Sequence, residues 1–306
     1  MLLAEIILFL AKFFKMAFRY SLSLLGLLFM LTACQDPVPE FDAEIRDLTD
    51  SFKDYWFDGQ AEITSYSLQQ ERYGEMREGT AVLIYVTEDF LPGVQVKADK
   101  PSDKSIPVLK LNKTKNYLTG IYPYSIMSSV FFPLEERNHA IKVSTSVQEW
   151  CGHTYTQLNN RKDFEIRSHS YFEGEADQSF SLDKIYLEDE IWTQLRINPE
   201  ELPVGDIEMV PSFEFARLRH REIKPYYVQA TLNLMDGVQE YSLLYHELDR
   251  TLTIRFEPVS PFKIIGWEET IGDFTSKATI NEQIKSEYWN KNKNEHLHLR
   301  ESLNLN

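Results

Sequence analysis

In the stretch QEWCGHTY, Gln148 to Tyr155, Glu149, Cys151 and His153 follow one another at two-residue spacing. Those residue types describe a thiol nucleophile, an imidazole base and a carboxylate partner. The chemistry requires the thiolate, which a neighbouring imidazolium favours. Two-residue spacing also places side chains on one face of a strand. In AIKVSTSVQEWCGHTY, Ile141, Val143 and Val147 form the apolar face. Continued alternation carries Glu149, Cys151, His153 and Tyr155 inward and Trp150 outward, unless a bulge at Gly152 switches the faces beyond it. Cα atoms two residues apart on a strand are separated by about 6.5 Å, which permits contact but aligns a proton transfer poorly. The preferred reading is therefore a buried polar cluster. Cys151 is then a small apolar residue, and Glu149 needs an internal partner such as Arg72.

Other chemistry-bearing residues are dispersed. IYPYSIMSSVFF supplies Tyr122, Tyr124, Phe131 and Phe132, rings that either line a cavity or pack a core. Arg72, Tyr122, Tyr124, Glu149 and Tyr155 are the candidate cavity-lining residues. His296 and His298 lie in a polar tail without a nearby third ligand, and His220 and His246 are scattered. No HExxH, paired CxxC or G-x-S-x-G motif occurs, and the 12 glycines form no phosphate-binding loop. No metal and no cofactor is expected. The net charge of −15 repels nucleic acid and anionic headgroups. The basic stretch RLRHREIK, Arg217 to Lys224, reads as a solvated strand end and loop.

The elements that must position these residues begin after a targeting segment. SLSLLGLLFML, Ser21 to Leu31, follows Arg19 and precedes LTAC, Leu31 to Cys34. An apolar run of only 11 residues is too short for a membrane span of about 20, and the layout is that of a secretory signal peptide. The expected organisation is a signal peptide over 1–33, a lipidated tether over 34–43 and a single β-rich domain over 44–306. A second apolar stretch fills residues 1–15, so Met16 is an alternative start. With Cys34 lipidated, Cys151 has no intrachain partner.

AEIRDLTDSFKDYW has Ile45, Leu48 and Phe52 at helical spacing and predicts a short amphipathic helix. From Ala61 the period changes to two, with turns at Asp236-Gly237 and Asp249-Arg250. DIEMVPSFEFARLRH is read as one of these strands. LEDEIWTQLRINPEELP interrupts them with Leu187, Ile191 and Leu195 at four-residue spacing and a helix near 187–197. The tail after Ile284 is polar and partly helical. The expected fold is all-β with minor α: a strongly curved antiparallel meander or a β-barrel, with one crossover helix and terminal helices.

Several stretches together carry a resemblance: GQAEITSYSLQQERYGEMREGTAVLIYVTEDF, TGIYPYSIMSSVFFP, QEWCGHTY, LEDEIW and PSFEFARLRH. They resemble a family of Bacteroidota lipoproteins often labelled "septum formation inhibitor Maf". The resemblance implies an envelope protein. True Maf proteins are α/β nucleotide pyrophosphatases with an N-terminal serine and paired arginines. Here that region is a signal peptide and an acidic tether, so the resemblance carries the family and no catalytic residues. The functional expectation is an outer-membrane lipoprotein, periplasmic or surface-facing, anchored through lipid on Cys34. It binds an apolar ligand or an envelope partner without chemistry. The alternatives are a thiol hydrolase built on Cys151 and His153 and, more distantly, a Maf-like pyrophosphatase.

Overall fold

The computed structural model describes residues 45–136 and 138–305. The signal run, Met16, Cys34 and the tether to residue 43 lie outside the described residues.

A helix, α1 (Asp50–Trp56), leads into sixteen strands. The first nine are β1 (Ala61–Arg72), β2 (Glu75–Leu91), β3 (Val96–Lys97), β4 (Ile106–Thr119), β5 (Tyr122–Pro133), β6 (Lys142–Glu149), β7 (Gly152–Asn160), β8 (Phe164–Ser170) and β9 (Gln178–Leu182). Then come β10 (Tyr186–Leu187), helix α2 (Glu188–Ile197), β11 (Gly205–Val210) and helix α3 (Phe213–Leu218). The last strands are β12 (Tyr226–Met235), β13 (Val238–Tyr245), β14 (Arg250–Phe256), β15 (Ile264–Ile271) and β16 (Phe274–Ser286), before helix α4 (His298–Glu301).

All sixteen strands join one sheet. Its hydrogen-bonded order is β10, β11, β12, β13, β14, β15, β16, β1, β2, β4, β5, β6, β7, β8, β9, with β3 beside β2. Every pairing is antiparallel except the short β10–β11 pair. The expected antiparallel meander is therefore present, and the sheet is not closed. Its two edges nevertheless lie close together. The chain leaves one edge at Leu182 and resumes on the other at Tyr186, a step of at most roughly 15 Å. The sheet is rolled around α2. Glu62 of β1, Tyr85 of β2, Arg250 of β14 and Trp267 of β15 all touch that one helix. The same helix is also bonded by the Ala140 N–H, just beyond β5. Contacts reaching from β14 to past β5 can converge on a ten-residue helix only if the sheet curves.

Local sequence explains the elements. In β14, Leu252, Ile254 and Phe256 face the core and the residues between them do not. Asp236 and Gly237 both have positive φ, 52° and 81°, the conformation that joins β12 to β13 without splaying them. The N-terminal helix is shorter than its spacing predicts. The Thr49 hydroxyl accepts the Phe52 N–H at 3.2 Å and caps the helix there, leaving Ile45 extended and bridged to Glu136. The expected strand through PSFEFARLRH is also corrected. Ser212 caps the Phe215 N–H at 3.3 Å and the chain turns into α3.

Candidate functional site

The QEWCGHTY stretch forms a hairpin tip. Glu149 pairs with Gly152, Val147 with Thr154 and Thr145 with Thr156. Trp150 and Cys151 are thus a two-residue connection, and the strand reverses where alternation assumed it continued. Paired residues share a face, so the inward parity passes from odd numbers in β6 to even numbers in β7. Thr154 and Thr156 are buried, whereas Cys151, His153 and Tyr155 are exposed. This corrects the expected inward placement of Cys151, His153 and Tyr155. Trp150 is exposed, as expected. Glu149 is partly exposed and accepts the Cys151 N–H at 2.7 Å rather than bonding an internal partner. Hydrogen bonding to the Glu149 carboxylate, and its negative charge, push the Cys151 thiol up. That is the wrong direction for a thiolate nucleophile. Gly152 is tightly placed, since a Cβ there would meet the Tyr171 ring at 2.8 Å.

The other expected cavity residues divide. Arg72 and Tyr124 are buried together, with the Arg72 Nε and Nη2 donating to the Tyr124 hydroxyl at 3.3 and 3.2 Å. Arg72 also donates to the Leu218 carbonyl at 2.7 Å, so it is committed away from Glu149. Tyr122 stacks obliquely between Tyr124 and Trp150, at 6.0 and 6.3 Å. Phe132 is in the core, and Phe131 packs on Phe90 in a separate cluster.

Inside the rolled sheet, helix α2 is buried nearly all round, its charged residues included. Glu188 accepts Arg250 Nη2 at 2.7 Å and the Tyr245 hydroxyl at 2.9 Å. Arg196 grips Glu62 with two nitrogens at 2.7 Å each and lies over the Tyr85 and Trp56 rings. Glu190 accepts the Leu187 and Ala140 N–H groups and meets His139 at 2.9 Å. From α3, Glu214 reaches Lys115 at 2.6 Å and Lys113 at 3.4 Å. Burial alone would raise the Glu214 carboxyl, but the two ammonium groups outweigh it and hold it at about 2. Asp189 has no such ion pair among the described residues. Burial pushes it up to about 6, against the pull of Lys113 and the Phe213 N–H. Its Oδ2 accepts that N–H at 3.0 Å, and its Oδ1 has no partner among the described residues.

Around Lys113, Glu188, Glu214 and Arg250 acids and bases are close enough for proton transfer, but no substrate has room. His139 and Glu190 instead border a polar pocket of about 460 Å³ shared with Arg46, Gln194 and Glu201. The free space among Lys113, Glu188, Glu214 and Arg250 is about 20 Å³, enough for roughly one water. The described residues contain no group of three or more His, Cys, Asp or Glu able to hold a metal ion.

The apolar space lies on the outside. Beyond β16 the tail turns back over the outer face of the sheet. Leu303 and Leu305 are buried there against Ala61, Ile63 and Val86. Asn304, at φ 51°, ends α4 in the left-handed conformation, and the Leu303 and Leu305 N–H groups both bond the Arg300 carbonyl. Between tail and sheet runs a groove of about 360 Å³. Ile63, Val82, Ile84 and Ile284 form its floor, with Leu299 and Leu303 above. This tail had read only as polar and partly helical. The available signal was the series Leu297, Leu299, Leu303, Leu305.

No protein-family model and no curated protein matches the chain. Among solved structures it is similar to the beta-barrel-like protein of domain of unknown function DUF1849 from Brucella abortus. The identity is 7% and the TM-score 0.45, with 74% of this chain and 97% of that one covered.

Proposed function

We propose that this is an exported lipoprotein, anchored in the outer membrane by lipid on Cys34, that binds an apolar ligand in its outer groove and performs no chemistry on it. One observation carries the binding reading. The groove offers about 360 Å³ over an apolar floor, whereas the pocket of about 460 Å³ beside Arg46, His139, Glu190 and Glu201 is lined mainly by charged and polar groups, and the space among Lys113, Glu188, Glu214 and Arg250 holds roughly one water. A ligand pocket is a concave, mostly apolar site of at least about 300 Å³, and the groove meets that description. The signal run followed by LTAC and the resemblance to Bacteroidota lipoproteins support export and anchoring.

Cells making the full chain, fed an acyl chain bearing a photoactivatable diazirine, test this directly. Crosslinks should map to peptides containing Ile63, Val82–Ile84 and Ile284–Leu305. Covalent acyl label should map separately to Cys34 and vanish in Cys34→Ser. Crosslinks found everywhere except the groove would defeat the binding reading. Unchanged acylation in Cys34→Ser would defeat the anchoring one.

A further inference from the structure

The groove has a charge pattern as well as an apolar floor. The charged residues among those lining it are Lys291, His296 and Arg300, and no carboxylate is among them. On a chain of net charge −15 this is a local reversal of sign. His296 is engaged, its Nδ1 near the Lys293 N–H at 3.3 Å and its Nε2 3.7 Å from Glu295. Lys291 and Arg300 are different. Both are exposed, and neither side chain makes a hydrogen bond or ion pair among the described residues. Lys291 follows the turn Tyr288–Asn290, and Arg300 lies in α4. The two cations therefore come from separate parts of the tail and line one groove.

Resting on the binding reading above, we propose that the groove's occupant is an anionic amphiphile with a single acyl chain ending in a carboxylate. The chain lies on Ile63, Val82, Ile84 and Ile284, and the carboxylate meets Lys291 and Arg300 at the mouth. The size argues for one chain, since about 360 Å³ is near the lower end of ligand pockets, which span roughly 300–1,000 Å³. The charge argues for the head. An apolar tail buried beneath two uncommitted cations favours an anion over a neutral or cationic group. Arg300 offers the planar fork that matches a carboxylate, and Lys291 a point charge beside it.

The test uses the full chain in nanodiscs of neutral lipid with four diazirine probes of equal chain length: a carboxylic acid, an alcohol, a trimethylammonium and a phosphate monoester. The readout is labelling of the groove peptides. The acid should exceed the alcohol by about three- to fivefold, the scale of exposed charge pairs. The trimethylammonium should label least. In Lys291→Gln/Arg300→Gln the acid should fall to the level of the alcohol, with alcohol labelling unchanged. Equal labelling by acid and alcohol in the natural chain overturns the head-group proposal and leaves the groove reading intact, as does a preference that survives the double substitution. Stronger labelling by the phosphate overturns the carboxylate. Groove peptides unlabelled by every probe overturn the binding reading itself.

Discussion

Glu62 and Ile63 are neighbours in sequence and face opposite sides of β1. Glu62 points inward and is held by two nitrogens of Arg196, 134 residues away. Ile63 points outward and is covered by Leu303 and Leu305. The same contrast holds along β2 and β4. Inward, Tyr85 bonds the Trp192 carbonyl at 2.7 Å and Lys113 faces Glu214, while outward Val82, Ile84 and Thr114 line the groove. The inner face carries the main apolar core and, set within it, charges and hydroxyls that each require one particular partner. The outer face is specified by apolar contact, which is non-directional and tolerates exchange of its occupant. Directional satisfaction suits a rigid plug, and apolar cover beneath a short tail suits a site that fills and empties.

The largest effect that sharpens this contrast is expected on the inner face. Arg196→Ala leaves Glu62 buried without its guanidinium and should cost about 3–5 kcal/mol. The double replacement Arg196→Met/Glu62→Leu removes both charges and should recover most of that loss, because it leaves no unpaired ion. Urea denaturation measures both. A double variant as unstable as the single would mean that the pair contributes through more than charge satisfaction.

Two acids on the inner face should show opposite pH dependence. Glu214, depressed from 4.5 to about 2, contributes stability that is present above about pH 4.5 and lost as pH falls toward 2. The contribution is roughly 3 kcal/mol, and Glu214→Gln should remove both it and its acid slope. Asp189, raised from 3.8 to about 6, behaves inversely. Its folded form retains the proton, so its contribution is full below pH 3.8 and declines as pH rises through 6. Lys113, Glu188 and Glu214 face it, and the two glutamates add to the cost of ionising it. Asp189→Asn should therefore be more stable than the natural chain above pH 7, on the order of 1–3 kcal/mol. Melting temperatures between pH 3 and 8 separate the two, and a destabilised Asp189→Asn would show that ionised Asp189 is needed.

How much of this was legible follows the same division. The antiparallel sheet, the helix near 187–197 and the Asp236-Gly237 turn follow from local period and turn chemistry, and the structure contains all three. The burial of that helix does not follow. Glu188, Asp189 and Glu190 look like a solvated first turn favoured by the helix dipole. Their partners Arg250, Phe213 and His139 arrive through the roll of the sheet, which no local pattern encodes. The groove was missed because its two walls, Ile63 to Ile84 and Leu299 to Leu305, are each unremarkable alone. The face of Cys151 was misread because Trp-Cys carries no turn signature, and one unseen two-residue turn inverts every residue after it.

A smaller effect belongs to the outer face. Leu303→Ala trims one clamp of the tail, where the cover is a single layer that can partly relax. The cost should be about 1–2 kcal/mol, below the roughly 2–5 kcal/mol of a deeply buried leucine. Acyl-probe labelling of the groove should fall by much more than stability does. Equal losses in binding and stability would instead make the tail a general part of the fold.

The smallest effect is expected at the hairpin tip, which belongs to neither face. Cys151 is exposed, its N–H bonds Glu149, and the same carboxylate pushes its thiol up. Cys151→Ala should leave the melting temperature and acyl binding unchanged, because it removes no buried contact. Thiol reactivity is the sharper measurement. An exposed thiol beside a carboxylate reacts with maleimide more slowly than a free cysteine at neutral pH, since less of it is thiolate. Glu149→Gln removes the negative charge and should speed the reaction, with little loss of stability, because Glu149 holds a turn and no buried partner. His153→Ala should leave the rate unchanged, as an outward imidazole is not needed to explain a thiol shifted upward. If His153→Ala slows the thiol instead, the imidazole is acting on Cys151, and the hairpin tip would have to be reconsidered as a reactive site.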